Sequence, residues 1–224
     1  MSLKNKYEVK SIDKSQTYEW LKYKHYSHRI PPIMKSFGLF KNGLLCGVCT
    51  FYNGMINIQD TIITNGSNYS HFELNRLCVN DNLDKNVTSY FVGNVLKLMP
   101  KPCVLISYAD SSQNHHDYIY QATNWIYTGI GSGSTSFKDI NTSEIFHEYT
   151  IRKVYGTRKT SELPTHIQKE KKGGDKYRYV YFNGSKTFKK KSIKDLKYNI
   201  LPYPKGENKR YDASYKPTIQ TQLF

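Results

Sequence analysis

The pattern of apolar and polar positions is clearest between Glu73 and Asp110. A short apolar-rich run is followed by a polar loop, then by apolar residues at helical spacing, and finally by an almost continuously apolar run. Two prolines end the helical segment, because proline cannot continue a helix. The pattern predicts a strand, a helix and a buried parallel strand, which is a βαβ unit. The four segments are residues 74–79, 80–86, 88–99 and 103–108.

This unit predicts where a ligand would bind. A parallel crossover is right-handed almost without exception, so the carboxyl ends of both strands fall on one edge of the sheet. Ligands of open α/β sheets bind at that edge. Residues 80–89 lie there, together with Tyr108, Ala109 and Asp110 of the second strand. We expect any active site at this edge.

The rest of the first two thirds of the chain alternates between strand-like and helical patterns. Residues 15–26 place apolar side chains three or four apart, which predicts a helix with Ser15 as its cap. Asn42-Gly43 separates two strand-like runs and predicts a hairpin. A second helix is predicted over residues 112–123 and a last core strand over residues 145–154. The fold class is therefore mixed α/β, with a central sheet and flanking helices.

The character of the chain changes after Tyr155. The alternation in residues 177–191 and the turn signal Asn183-Gly184 predict a basic β-hairpin. We accordingly divide the chain into a core over residues 1–155 and a basic extension, rich in tyrosine and lysine, over residues 156–224.

The net charge lies mainly in this extension. The chain has 224 residues and a net charge of +15. From Arg152 onward there are 19 Lys and Arg against 6 Asp and Glu, whereas the first 151 residues have 14 against 12. This asymmetry indicates a polyanionic partner or a solubilising surface. Interleaved tyrosines and lysines favour nucleic acid.

Apolar segments and cysteines restrict the class of protein. No stretch approaches the roughly 20 apolar residues of a membrane span, and the first residues do not resemble a secretory signal. These features predict a cytosolic protein. The cysteines lie in apolar, strand-like segments, which predicts buried, reduced thiols, although the first two also match a redox or metal spacing. They are Cys46, Cys49, Cys78 and Cys103.

Arg76 is the first candidate site residue. By the period of two it shares a strand face with Leu74 and Cys78. Arginine is seldom buried without an anionic partner. A structural ion pair with Glu73 or Asp81 is one interpretation, and a bound anion is the other.

A helix amino terminus follows Arg76 and strengthens the second interpretation. Such termini bind anions through free amides and the helix dipole. Ser89, in the first turn, offers a hydroxyl to the same anion, and local capping is its alternative role.

Two further clusters carry ionisable groups. Asp110 lies just past a central strand, near Tyr108, and Tyr120 lies on the helix that follows. Their alternative roles are helix capping and core packing. His25-Tyr26 ends the first helix, where an imidazole and a phenol suit proton transfer or, with Asp110, a hard metal such as iron. Simple packing of a turn is the alternative.

These segments together carry a resemblance. Three groups of segments carry it: His25-Tyr26-Ser27 with Ile30-Pro31, Glu73-Leu74-Asn75-Arg76-Leu77, and Ser107-Tyr108-Ala109-Asp110 with Ile119-Tyr120-Gln121-Ala122. In combination they resemble the Mom family of phage DNA-modification proteins, which look like relatives of the GCN5-related (GNAT) acetyltransferases. The resemblance runs from about Tyr18 to Arg158.

The resemblance implies an acetyltransferase-like fold in which the βαβ unit binds acyl-CoA (acetyl-CoA). It implies conversion of adenine in double-stranded phage DNA to N6-carbamoylmethyl (acetamido) adenine, which shields that DNA from restriction in the cytoplasm of the infected bacterial host. By motif match, Arg76 and Ser89 would bind the cofactor. His25, Tyr26, Asp110 and Tyr120 would be catalytic and would be the ligands of an iron ion. The extension over residues 156–224 would contact DNA.

One segment departs from the acetyltransferase pattern. The pyrophosphate loop of that superfamily follows Arg/Gln-x-x-Gly-x-Gly/Ala, whereas residues 82–87 read Asn-Leu-Asp-Lys-Asn-Val, with no glycine. Glycine lets the backbone approach phosphate closely. Asp81 and Asp84 would repel a pyrophosphate, and only Lys85 would offset them.

Two other functions remain open from sequence. An acetyltransferase acting on protein or small-molecule amines would turn over acyl-CoA without DNA. A DNA-binding protein without catalysis would bind DNA in a salt-sensitive way and leave adenine unaltered.

Overall fold

A seven-stranded sheet forms the centre of the computed structural model, which describes residues 2–53, 62–64, 69–110, 118–131, 135–170 and 176–205. The strands are β1 Tyr7–Ser11, β2 Lys35–Lys41, β3 Leu44–Tyr52, β4 Ser70–Val79, β5 Cys103–Asp110, β6 Ile126–Gly131, β7 Ser136–Asp139, β8 Ile145–His147, β9 Ile167–Lys169 and β10 Lys176–Asn183. The helices are α1 Ser15–Glu19, α2 Val87–Leu98, α3 Tyr118–Ala122, α4 Glu148–Tyr155 and α5 Lys186–Lys194.

The central sheet has the order β1-β2-β3-β4-β5-β10-β6, and a second sheet has the order β8-β7-β9. Only β4 and β5 pair in parallel; the other neighbours are antiparallel. The predicted βαβ unit is thus confirmed as β4-α2-β5. The predicted mixed α/β fold, with a central sheet and flanking helices, is also confirmed.

The two faces of the central sheet bury different clusters. On the face that we call the α2 face, Phe72, Leu74 and Leu105 pack with Phe91 and Val95 of α2. The opposite face, which we call the α1 face, packs against the helical segment that begins with α1 and against α5. Its buried residues are Trp20, Leu21, Val48, Cys78, Ile62, Ile63, Val104, Ile106, Val180 and Phe182.

Strand β10 comes from the basic extension but lies between β5 and β6. It pairs with β5 along its whole length, from Lys176 opposite Asp110 to Asn183 opposite Cys103. Part of the chain beyond Tyr155 is therefore a central strand of the same sheet.

The hairpin predicted for residues 177–191 does not form. The alternating half is β10, but the lysine-rich half is helix α5. The side chain of Ser185 accepts a hydrogen bond from Phe188 N and caps this helix. Capping by serine outweighs the turn signal, and the chain leaves the sheet.

Two other local predictions need correction. Within residues 145–154, only β8 is extended. Helix α4 follows it, with the His147 side chain accepting a hydrogen bond from Tyr149 N at the helix start. The first helix forms as predicted and widens into a π-helical turn over Trp20–Lys24. Asp13, and not Ser15, supplies the polar contact at its start, since it accepts from both Ser15 N and Ser15 Oγ.

Four further predictions can be compared with the described residues. Asn42 and Gly43 form the turn between β2 and β3, both with positive φ. The four cysteines are free and buried, and burial raises the pKa of Cys46 to about 12. Of the second predicted helix, residues 111–117 lie outside the described part and residues 118–122 are helical. No helix among the described residues is long and apolar enough to cross a membrane.

Candidate active site at the fork between β4 and β5

The two parallel strands separate at their carboxyl ends. The β4–β5 ladder runs from Ser70–Cys103 to Leu74–Ser107 and then stops. Beyond it, β4 continues against β3 only, and β5 continues against β10 only. We call this opening, defined by Leu74, Asn75, Ser107 and Tyr108, the fork. It lies at the sheet edge where the sequence predicted a site.

A hydroxyl chain connects Tyr120 to the fork. Ser107 Oγ donates to the Leu74 carbonyl at 2.8 Å, and it lies 2.7 Å from Tyr120 Oη. Because a serine hydroxyl has one proton, Tyr120 must be the donor in the second bond. The phenol oxygen of Tyr120 is thus held next to the last paired residues of the fork.

Aromatic contacts fix the ring of Tyr120. It stacks on Tyr179 of β10, with centroids 4.8 Å apart, and meets Trp125 edge-on at 5.2 Å. Tyr120 is buried, so its position is set by packing as well as by hydrogen bonds. Part of this packing comes from beyond residue 155.

A β-bulge at Asn75 decides where Arg76 points. Thr50 pairs with Arg76 but Phe51 pairs with Leu74, so Asn75 is an extra residue. Leu74 packs on the α2 face, whereas Cys78 packs on the α1 face. The predicted face sharing is therefore right for Cys78 and wrong for Leu74. The bulge breaks the period of two, and Arg76 lies on the α1 face.

Asn75 also anchors the loop that follows the first helix. Its Nδ2 donates to the Pro32 carbonyl at 3.0 Å, and its Oδ1 accepts from Thr50 Oγ1 at 2.6 Å. Both ends of the amide are occupied, so the bulge fixes the loop after His25 against β4.

The Arg76 guanidinium is half-buried and incompletely bonded. Its Nη1 donates to the Asn75 carbonyl at 2.6 Å, whereas its buried Nε has no hydrogen-bond partner. Among the described residues no carboxylate lies within ion-pair distance of it, so the structural ion pair considered from sequence is absent there. Burial lowers the pKa of Arg76, while the nearby Tyr26 and Glu73 oppose that shift and Arg29 adds to it. The guanidinium has donors available for an anion.

Glu73 is a site residue that the sequence considered only as an ion-pair partner. It lies opposite Ile106 in the ladder, next to the fork. Burial raises the pKa of Glu73, and the charges of Arg76 and Lys176 partly offset this shift. Burial, followed by the charge of Glu73, raises the pKa of Tyr108 to about 12. A carboxyl group with a shifted pKa beside an opening of the sheet is a candidate functional residue.

His25 and Tyr26 lie where the π-helical turn ends. His25 is buried, and its Nδ1 accepts a hydrogen bond from Ser27 N at 3.1 Å and lies 2.9 Å from Ser27 Oγ. An acceptor at Nδ1 places the proton of the neutral ring on Nε2. The Tyr26 ring lies 4.4 Å from that of His25, and Tyr26 is close enough to affect the pKa of Arg76. These residues approach the fork from the α1 face.

Asp110 is the last residue of β5, and its backbone pairs with Lys176. Its side chain lies outside the described part, so the roles predicted for it stay predictions. Tyr120 reaches the fork from the α2 face and Tyr26 from the α1 face, on the two sides of one opening.

The predicted iron site finds no support in the described residues. They contain no group of three or more His, Cys, Asp or Glu that could hold a metal ion. His25 Nδ1 is engaged by Ser27, and Tyr120 Oη by Ser107. We assign no step to iron.

Ser89 lies away from the fork. Its Oγ donates to the Asn86 carbonyl at 2.9 Å, which is the local capping role considered from sequence. It lines an open groove of about 500 Å³ between α2, the end of α3 and the end of β10. The groove carries three lysines, Lys97, Lys101 and Lys189.

The loop before α2 is tied to the first strands by Asp84. Its carboxylate accepts from Lys6 Nζ at 2.7 Å, Tyr7 Oη at 2.8 Å and Lys41 Nζ at 3.4 Å. These hydrogen bonds hold the pKa of Asp84 well below its usual range. The sequence could not reveal this cluster, because its partners are far away along the chain.

The segment between β6 and β10 adds a flank to the site. His147 has a lowered pKa because it is partly buried, and the positive charges of Arg29 and Lys176 lower it further. Two residues on, Tyr149 is 72% exposed at the start of α4. His147 of the second sheet thus lies near Lys176 of β10, and α4 presents an aromatic side chain to solvent.

Known proteins resemble this chain in sequence and in fold. It is 27% identical over 195 residues to the Methylcarbamoylase mom of Escherichia phage Mu, which covers 81% of this chain and 77% of that relative. The crystal structure of Arabidopsis thaliana NAA60 in complex with a bisubstrate analogue matches 80% of this chain and 99% of its own, at 16% identity and a TM-score of 0.50. An acetyltransferase of the GNAT family from Bacillus cereus ATCC 10987 matches 79% and 97%, at 9% identity and a TM-score of 0.42.

The similarity to the NAA60 structure concerns the fold alone, and the GNAT-like fold implied by the sequence resemblance is confirmed. The family assignment has a separate basis in sequence. The sequence model of the Mom protein family matches residues 6–205, which is most of the chain. The chain therefore belongs to the Mom protein family.

Proposed function

We propose that this protein is a transferase that modifies adenine in phage DNA, replacing one N6 hydrogen by a carbamoylmethyl group. The observation that carries the proposal is the family match over residues 6–205, joined by the similarity to the phage Mu methylcarbamoylase. The modified DNA would resist host restriction enzymes in the cytoplasm of the infected bacterium.

The fork supplies the groups that such a reaction needs. The N6 amine must lose a proton as its bond to the transferred carbon forms, and His25, Asp110 and Glu73 are the candidate bases. The raised pKa makes Glu73 a stronger base than an ordinary glutamate. Arg76 neutralises negative charge on the donor or on the departing group, through its unpartnered Nε.

Two phenols orient the base in this proposal. The N6 amine is paired inside duplex DNA, so the adenine must be flipped out of the stack. Tyr26 is partly exposed beside Arg76 and can stack on the flipped base. Tyr120 donates its proton to Ser107, so its oxygen can accept a hydrogen bond from the amine.

The basic extension would hold the DNA backbone. Helix α5 exposes four lysines, and a single carboxylate, Asp195, follows in the next residue after the helix. Each lysine that contacts a phosphate should contribute about 0.9 to the slope of log affinity against log salt. The four lysines are Lys186, Lys190, Lys191 and Lys194.

Nucleoside mass spectrometry tests the proposal. DNA from bacteria that express the chain should contain adenine heavier by one carbamoylmethyl group in place of hydrogen, and an Arg76→Ala variant should reduce it at least tenfold. Tyr23→Phe is the matched control, since Tyr23 is exposed on the π-helical turn. Unmodified adenine with well-expressed wild type would refute the proposal. Acyl-CoA turnover without DNA would instead favour an acetyltransferase of other amines.

A further inference from the structure

We infer that the chain's own Asp84 closes the amino end of α2 to the pyrophosphate of an acyl-CoA, so that the transferred group comes from a donor without such a pyrophosphate. The inference rests on the proposed function only in assuming that a donor supplies the transferred group. The closure of α2 concerns the binding of pyrophosphate alone, and it follows from the contacts around α2.

Two cations near the amino end of α2, Lys6 and Lys41, are already paired with a carboxylate, whereas Lys85 of the loop is exposed. Lys6 and Lys41 lie within ion-pair distance of Asp84, and Tyr7 Oη donates to the same carboxylate. Asp84 N donates back to Tyr7 Oη at 3.3 Å. The carboxylate therefore takes the place that a bound anion would have among these donors. Since its pKa is held well below the usual range, it stays charged at every physiological pH.

Two hydrogen-bond donors in the first turn of α2 are also engaged by carbonyl groups of the preceding loop. Val87 N donates to the Asp84 carbonyl at 3.2 Å, and Ser89 Oγ donates to the Asn86 carbonyl. Helix amino termini bind anions through free donors, and these two groups would be among the donors that a pyrophosphate meets there. Both groups already have partners in this loop.

The backbone of the loop turns as a glycine loop would, but with side chains attached. Asn82 has φ of 59° and Asn86 has φ of 65°, a region that glycine adopts without cost. Asparagine tolerates this region, so the loop adopts the turn without glycine. Asp81 adds a second carboxylate, 3.5 Å from Lys24.

A positive charge without a carboxylate partner among the described residues lies at the fork. Arg76 has a buried Nε without a partner, whereas Lys6 and Lys41 are paired with Asp84. We therefore expect Arg76, and not the pair Lys6 and Lys41, to bind an anionic group of the donor. The residues around α2 do not fit acyl-CoA, and no step of the proposed reaction requires it.

Calorimetric titration of the full chain tests the inference. Acetyl-CoA, coenzyme A and inorganic pyrophosphate should each give no saturable binding up to millimolar concentration. Saturable binding of acetyl-CoA with a micromolar Kd would overturn the inference. This wild-type experiment decides the matter even if a variant fails to fold.

Two matched loop variants test the role of Asp84. Asp84→Asn frees Lys6 and Lys41, so it should bind inorganic pyrophosphate at least tenfold more tightly than wild type. Asp81→Asn removes a carboxylate of the same loop that pairs with Lys24, and it should not change binding. Equal affinities for the two folded variants would overturn the assignment to Asp84. Thermal melts identify the variants that are folded.

The outcomes separate this inference from the proposed function. Modified adenine without acyl-CoA binding supports both. Modified adenine with tight acyl-CoA binding overturns the closure of α2 and leaves the DNA modification intact. Unmodified adenine without acyl-CoA binding refutes the function and leaves the closure supported.

Discussion

Removing residues 156–224 should unfold the protein. The truncated chain of residues 1–155 would keep every strand of the central sheet except β10, which lies between β5 and β6. Without β10, strand β6 loses its neighbour in the sheet, and β5 becomes an edge. The truncation therefore removes an interior strand of the sheet and not an edge strand.

The loss of stability on truncation can be estimated from the buried side chains of β10. Tyr179 and Val180 are fully buried, and Phe182 is 3% exposed. Burying each such side chain contributes about 1.5–3 kcal/mol, so the three together contribute roughly 5–9 kcal/mol. The whole free energy of unfolding of a domain is about 5–15 kcal/mol. The loss is a large part of the total, before the newly exposed surfaces of β5 and β6 are considered.

Thermal unfolding followed by circular dichroism measures this effect on residues 1–155, residues 1–205 and the full chain. The shortest chain should show no cooperative transition. Residues 1–205 keep every described element and serve as the matched control, which should melt cooperatively. A cooperative transition of residues 1–155 within about 5 °C of the full chain would refute the reasoning, since it would limit the loss to roughly 1–2.5 kcal/mol.

Three point variants test individual residues of the fork. Arg76→Lys keeps the charge but loses the Nε donor, so DNA modification should fall between wild type and Arg76→Ala in nucleoside mass spectrometry. Tyr120→Phe removes the bond to Ser107 but keeps the stacked ring, and it should lower the unfolding free energy in urea by about 1 kcal/mol; no change would contradict the hydroxyl chain. Because the folded pKa of Glu73 is raised, its contribution to stability is present below the ordinary glutamate pKa and is lost as pH rises through the raised value. Urea titrations of Glu73→Gln should lack this pH dependence, and an unchanged dependence would contradict the burial of the carboxyl group.

The sequence predicted elements whose signals are local. The helix α2 and the strand β5 follow from apolar spacing and from two flanking prolines, and the hairpin at Asn42-Gly43 follows from its turn residues. Each signal lies within the segment that it specifies. The parallel pairing of β4 and β5 then follows from the general rule for a crossover through a helix.

Long-range pairing explains the errors in the extension. The alternation in β10 correctly predicts a strand, but nothing in its residues identifies β5 and β6 as its partners. Helix α5 has few apolar residues, so its periodicity is weak, and Ser185 is the only local signal of its start. The turn signal at Asn183-Gly184 then favours a hairpin that the tertiary structure does not form.

The site shows the same limit at the level of single residues. One extra residue at Asn75 moves Arg76 to the opposite face from Leu74, and the bulge can be seen only from the register with β3. Asp84 finds Lys6 and Lys41 at separations of 78 and 43 residues. Residue types at the fork could be predicted, but their partners depend on how distant strands align.

The extension also holds the helix that carries Tyr120. Tyr179 of β10 stacks on the Tyr120 ring, and Tyr203 Oη donates to the Trp125 carbonyl at 2.6 Å. Gln121, next to Tyr120, donates to the Pro204 carbonyl at 3.3 Å. These contacts help to place the phenol at the fork, because the described part of α3 is five residues long and too short to fix its own orientation. A basic extension that served DNA binding alone could be removed without moving the site. In this chain the same residues complete the sheet and orient a candidate catalytic side chain. Removing them should therefore abolish the reaction through loss of the site itself, independently of any loss of DNA binding.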